Sequence, residues 1–161
     1  MILHAGLIAL RCDGEWLGAL IEGPSGAGKS DLALRALDQG FRLVADDRTV
    51  VFVSEGRLYG RAPDTLAGLI EARGVGILAV TPLPFARIGL RLRCTAEMSQ
   101  PERLPDPHIE SLMGVDVASL DMAPLEPAAP AKVRRALEGL GRRAQQAYQA
   151  PFAPSARRLG A

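Results

Sequence analysis

The chain has 161 residues, 48% of them hydrophobic and 23% charged, and a net charge of +1, which suits one globular domain with a single core. No run of 18 apolar residues occurs, excluding a bilayer-spanning helix, and the apolar start stops at Arg11 and Asp13 without a basic lead or cleavage pattern, excluding a secretory signal. Cys12 and Cys94 sit in apolar surroundings with no second ligand nearby, as reduced thiols of a cytoplasmic protein do, rather than in a disulfide or metal pattern.

Residues 2–12 and 16–22 are apolar runs around Asp13-Gly14, a pair that favours a tight turn between antiparallel strands. A glycine-rich stretch follows, and then Leu32, Ala33, Leu34, Ala36 and Leu37 recur at helical spacing up to Gly40. Phe41 to Ala45 is a short predicted strand ending at Asp46-Asp47. Val50–Val53 and Arg57–Tyr59 flank Ser54-Glu55-Gly56 as a second hairpin, and Ala62-Pro63-Asp64-Thr65 predicts a turn opening a short helix to Ile70. Gly76–Val80 and Ile88–Cys94 are further strands, the latter with alternating arginines. A proline-bearing loop spans 96–107, His108–Met113 predicts a helical turn, and Val115–Leu120 is a last strand. The expected organisation is a catalytic domain over 1–122, a proline-rich linker over 123–130, a basic helix over 131–149 and a loose tail over 150–161. Residues 131–161 carry seven basic side chains against Glu138, which leaves −5 for the first 130 residues. A solvated helix face explains this asymmetry, and neither a nucleic acid nor a membrane is an expected partner.

Gly23-Pro24-Ser25-Gly26-Ala27-Gly28-Lys29-Ser30 fits G-x-x-x-x-G-K-[ST] in full, with a strand before it and a helix after it. Glycines let backbone N–H groups turn inward around phosphate oxygens, and the helix start adds its positive dipole end. Lys29 neutralises the β- and γ-phosphates, and the Ser30 hydroxyl suits Mg²⁺. The chain has two lysines against seventeen arginines, so a lysine here is notable: a compact ammonium on a flexible stem reaches a phosphate oxygen where a planar guanidinium fits badly.

Asp46 and Asp47 end the strand after the loop's helix, where ligands bind in open α/β folds. Their side chains point opposite ways in extended chain, so one can face the phosphates and take a proton from an attacking hydroxyl. Glu71-Ala72-Arg73-Gly74-Val75-Gly76 allows Glu71 as a second Mg²⁺ ligand and Arg73 as a stabiliser of transferring charge. On the residues alone it equally fits a helix end with a surface ion pair. His4, alone on an apolar strand, reads first as a core residue, and His108 as an exposed one.

Together, His4, the loop 23–30, Leu43-Val44-Ala45-Asp46-Asp47-Arg48 and Glu71-Ala72-Arg73-Gly74-Val75-Gly76-Ile77 resemble the catalytic domain of HPr kinase/phosphorylase over about residues 3–120. The resemblance implies an α/β fold with a P-loop, phosphoenolpyruvate carboxykinase-like kinase core, a mixed sheet and β-hairpins. It implies ATP and Mg²⁺ as cofactors, the phosphocarrier protein HPr as partner and substrate, and a hexamer. By position, Lys29 contacts phosphate, Ser30 and Glu71 hold Mg²⁺, and Asp47 assisted by Asp46 is base toward a serine and acid in reverse. Arg73 joins them as a catalytic candidate, and His4 lies beside the aspartates. The chain departs from the family pattern in three ways: no N-terminal regulatory domain is expected, as in the short alphaproteobacterial form; the first hairpin is longer; and Ala123-Pro124-Leu125-Glu126-Pro127-Ala128 replaces a basic Arg-Pro-Gly-Arg-Asn stretch. The last implies a kinase with weak or absent phosphorolysis. A small-molecule kinase would carry a lid of clustered arginines, which is not found between Ser30 and Arg87. A nucleotide-sensing module would need no base.

Overall fold

A computed structural model of the chain describes residues 1–95, 105–106 and 108–141. The first hairpin pairs β2 (Ala5–Cys12) with β3 (Glu15–Glu22), after a two-residue strand β1 (Ile2–Leu3). Its turn residues Asp13 and Gly14 both have positive φ, 48° and 83°, the geometry of a two-residue hairpin turn whose twist matches the strands. Helix α1 (Lys29–Leu37) follows, burying Leu32, Ala33 and Ala36, and leads to β4 (Arg42–Ala45). Then come β5 (Thr49–Ser54) and β6 (Arg57–Arg61), joined through Glu55 and Gly56, again both at positive φ.

The helix expected up to Ile70 is confined to a single 3₁₀ turn over Asp64–Leu66. The chain then extends as β7 (Leu69–Ala72), which pairs with β8 (Gly76–Ala79) in a separate two-stranded ribbon. Alternation decides the matter: Ile70 and Ala72 are buried while Leu69 and Glu71 face out, a period of two rather than 3.6. The helical turn expected at His108–Met113 is likewise a strand, β10 (His108–Leu112), paired with β11 (Val115–Met122) across Met113-Gly114. Met113 and Gly114 adopt positive φ, 54° and 79°, as the turn residues of the other two hairpins do; Gly114 signals such a turn, and methionine at its first position, uncommon there, masks it.

Strand β9 (Ala86–Cys94) runs parallel to both β3 and β11, and the other pairings of the sheet are antiparallel, giving a nine-stranded mixed sheet. Both faces are covered. Ile8, Leu10, Ile21, Leu90 and Leu92 pack under α1 and the C-terminal helix, while Leu7, Leu20 and Ile88 pack with Val51 and Leu58 of the curled-over hairpin and with Val117. Burial on both sides accounts for the near-continuous apolar runs of β2 and β3. The alternating arginines of β9 find carboxylates on neighbouring strands. Arg87 makes two hydrogen bonds to Glu15 at 2.8 and 3.0 Å, and Arg91 makes two to Glu22 at 2.8 and 2.9 Å. Arg93 bonds Glu110 and Asp121. The Arg87 guanidinium holds the Glu15 carboxyl below its usual range.

Helix α2 (Ala129–Ala136) continues into a wider, π-helical turn over Leu137–Gly141 that lies against β9 and β3. The remainder of the helix predicted to residue 149, the tail over 150–161 and nearly all of the loop over 96–107 lie outside the described residues. Close approach of this turn depends on Gly89, where a Cβ would sit 2.8 Å from the Gly141 carbonyl oxygen and 2.6 Å from Leu17 Cδ1. Gly89→Ala should therefore lower stability by about 1–3 kcal/mol, read as a lower urea midpoint. An unchanged midpoint would mean that the turn is not packed as described.

Candidate active site

Strand direction brings the site together. β2 is antiparallel to β3 on one side and to β4 on the other, with Ala5 opposite Glu22 and Leu7 opposite Ala45. The start of β2 and the ends of β3 and β4 therefore share one edge of the sheet. His4, the loop from Gly23 and the pair Asp46-Asp47 are the residues just beyond those three strand ends.

The loop leaves β3 at Gly23, whose φ of 153° and close contact with β9 both require glycine, since a Cβ would lie 2.4 Å from the Cys94 carbonyl oxygen. A bond from the Ala27 amide to the Pro24 carbonyl closes the turn, and Gly28 caps α1 in the left-handed region with no side-chain cap on the helix N-terminus. Backbone N–H groups at such an end suit an anion. The Lys29 side chain is buried and runs back along the loop, Nζ donating to the carbonyls of Gly23 at 2.8 Å and Pro24 at 2.9 Å. Beneath the loop, burial pushes the Cys94 thiol up to about 11, so it stays a neutral packing residue.

The two aspartates diverge, as adjacent residues at a strand end can. Asp46 is buried, and its carboxylate accepts from Ser30 Oγ at 2.8 Å and from the Glu71 backbone N–H at 3.0 Å. One side chain thus ties the helix start, the end of β4 and the β7–β8 ribbon together. Asp47 is exposed and adopts φ 65°, a left-handed conformation that aspartate tolerates better than most residues. That turn of the backbone swings its carboxylate to His4, with Nε2 to Oδ1 at 2.5 Å, while Arg48 Nε stands 4.0 Å from its other oxygen.

A cavity of about 410 Å³ opens above the loop. Ser25, Gly26, Gly28, Lys29 and Ser30 form its floor, and His4, Asp47, Glu71 and Arg73 line it as well. Of the residues singled out in the sequence, Gly23, Pro24, Ala27 and Asp46 are not among its lining, and Asp46 acts on it through Ser30 and Glu71. Glu71 lies on a strand rather than at a helix end, and His4 is exposed rather than a core residue. Asp31, Leu34 and Leu125, which the sequence did not mark as site residues, also line the cavity, as do Ala72 and Val75 of the Glu71–Gly76 stretch. Leu125 had a visible signal only in its setting, an isolated large apolar side chain between Pro124 and Glu126.

No three His, Cys, Asp or Glu side chains converge to hold a metal among the described residues, and no described helix is long and apolar enough to cross a membrane. Ser30 and Glu71 supply oxygen donors, the chemistry that suits Mg²⁺, an ion that keeps phosphate and water in much of its shell.

Comparison with known proteins gives a consistent result. The family model for the HPr Serine kinase C-terminal domain matches residues 4–120. An HPr kinase/phosphorylase from Clostridium beijerinckii is 43% identical over 81 residues, which is 50% of this chain and 26% of that protein. The corresponding protein from Leptothrix cholodnii is 35% identical over 119 residues, 66% of this chain and 37% of that one. The chain thus spans from about a quarter to a little over a third of the length of these relatives. The solved structure of the HPr(Ser) kinase/phosphatase from Coxiella burnetii superposes with a TM-score of 0.70 at 25% identity, over 84% of this chain and 87% of that one.

Replacing Asp46 leaves the part-buried Glu71 amide and the Ser30 hydroxyl without their acceptor. Asp46→Ala should cost about 1–3 kcal/mol in urea unfolding. Asp46→Asn, which keeps one acceptor oxygen, should cost less. Equal stability of all three proteins would show that this carboxylate holds nothing in place.

Proposed function

Since the chain belongs to the HPr serine kinase C-terminal domain family, we propose that it is an ATP- and Mg²⁺-dependent protein serine kinase whose substrate is the phosphocarrier protein HPr. The observation that carries this reading is the Asp47 carboxylate, hydrogen-bonded to His4 and opening on the same cavity as the phosphate loop. A nucleotide sensor needs the loop but has no use for a base beside it. The name of the relatives, HPr kinase/phosphorylase, suggests the substrate.

In the proposed reaction the loop amides and Lys29 hold the β- and γ-phosphates, with Lys29 exchanging its carbonyl partners for phosphate oxygens. Ser30 and Glu71 would hold Mg²⁺, which supplies charge neutralisation for the phosphates. Asp46 keeps both donors in register. A serine hydroxyl of HPr enters over Asp47, which accepts its proton as the oxygen bonds to the γ-phosphorus and the bond to ADP breaks. His4 fixes the Asp47 carboxylate, and Arg73 at the cavity edge stabilises charge on the transferring group.

The segment 123–128 contains no arginine and places Leu125 in the cavity. The segment therefore supplies no guanidinium to a free phosphate ion. The reverse reaction, in which phosphate attacks phosphoserine, should accordingly be weak or absent.

Incubation with γ-labelled ATP, Mg²⁺ and HPr from the same organism tests the proposal. Label should appear on an HPr serine and vanish with Lys29→Ala. Asp47→Asn, which tolerates the left-handed backbone but is no base, should lower kcat by about 10²–10⁴-fold. Absence of label despite Mg²⁺-dependent ATP binding would point to another acceptor or to a sensor. For the reverse direction, phospho-HPr offered millimolar phosphate should stay phosphorylated, and rapid release of pyrophosphate would refute the weak phosphorolysis.

A further inference from the structure

Leu125 is 64% exposed, yet it is held in place more firmly than an exposed leucine needs. Its two neighbours in sequence are fixed by one side chain on α1: Arg35 Nη1 donates to the Glu126 carbonyl at 3.0 Å, and Nη2 donates to the Pro124 carbonyl. Arg35 is itself braced by Asp31, with Nε to Oδ2 at 2.8 Å, and Glu126 is paired with Lys132 of α2. Pro124 is buried. The result is a strap across the start of α1 whose one outward apolar side chain projects over the phosphate loop. A Cβ built on Gly28 would meet Leu125 Cδ2 at 2.7 Å and Pro124 Cγ at 3.4 Å.

The strap lies on a different side of the helix from the reacting groups. Ser30, bonded to Asp46, and Arg35, bonded to the strap, are five residues apart, and at about 100° per residue they leave α1 in well-separated directions. The cavity therefore has unlike sides, one with His4, Asp47 and Glu71 and another at Leu125, with Leu34, Ala72 and Val75 as further apolar lining. A nucleoside triphosphate has the same polarity. Its γ-phosphate belongs with the acid–base wall, its phosphates with the loop amides and Lys29, and only its nucleoside gains from apolar contact.

Building on the nucleotide-binding reading above, we infer that Leu125 is a specificity-determining residue, the apolar wall against which the nucleoside of the bound nucleotide packs, positioned by the Arg35 clamp. Its contribution falls on the nucleoside alone and leaves the grip on the triphosphate unchanged.

Calorimetric titration with ATP and with inorganic tripolyphosphate, each with Mg²⁺, separates the two contributions. For Leu125→Ala, the Kd for ATP should rise about tenfold while the Kd for tripolyphosphate stays within a factor of about two. Leu125→Met, which keeps the apolar volume, should bind ATP nearly as the unaltered chain does. Unchanged ATP affinity in Leu125→Ala overturns the inference, as does an equal loss for both ligands, which would make Leu125 a support of the loop. Tighter binding of both also overturns it, because Leu125 would then obstruct the loop. If the unaltered chain binds tripolyphosphate but not ATP, no nucleoside wall exists. If it binds neither, the nucleotide reading itself fails.

Discussion

Everything at the site depends on β2 being paired antiparallel to both its neighbours. Because β2 runs against β3 and β4 alike, those two strands point the same way although a helix separates them in sequence. Their ends, and the beginning of β2, then fall within reach of one another without any long loop. A shift of one residue in the β2–β4 ladder would exchange the two faces of β4, and with them the directions of the residues that follow it. Dense packing on both faces opposes such a shift: Ile8 and Leu10 belong to one core and Leu7 and Ala9 to the other. Thr49, fully buried, adds a pin by donating its hydroxyl to the Ala5 carbonyl at 2.7 Å.

On that frame the two aspartates divide the work. Asp46 faces inward and holds protein groups, while Asp47 faces the cavity with His4. The division follows from one left-handed residue, because an extended backbone at Asp47 would carry its side chain elsewhere. The cost of that conformation, of order 1 kcal/mol, is small beside the two hydrogen bonds of Asp46 and the contact with His4 that accompany it.

Much of this was legible in the sequence because it is local. The phosphate loop, its helix and the hairpins at Asp13-Gly14 and Glu55-Gly56 each announce themselves through residue types that a particular backbone needs. Met113-Gly114 makes the same kind of turn with less warning, since methionine rarely adopts positive φ and only the pairing of β10 with β11 reveals it. The ribbon at 69–79 was half seen for a similar reason: β8 carries an apolar run, whereas β7 is recognisable only from which of its residues end up against α1. The arginines of β9 were visible, but their carboxylate partners on β3, β10 and β11 were not, because strand order is set by tertiary packing. Leu125 shows in the sequence only as an isolated apolar residue between Pro124 and Glu126, with nothing to say where it points. Its placement needs Arg35, ninety residues earlier in the chain, and that contact exists only once α1 and the strap are folded together.

The ribbon of β7 and β8 stands outside the main sheet, attached by Ile70 and Ala72 against α1, by the Glu71 amide on Asp46, and by a bond from the Val80 amide to the Gly68 carbonyl at its base. Its tip at Gly74-Val75 is free of the core, with Val75 77% exposed. Residues gained or lost at that tip would leave the register of the nine-stranded sheet unaltered. One wall of the cavity, where Arg73 and Val75 stand, can therefore be remodelled from the ribbon while the sheet that carries the loop stays constant, so that a single frame can accommodate cavities of different shape.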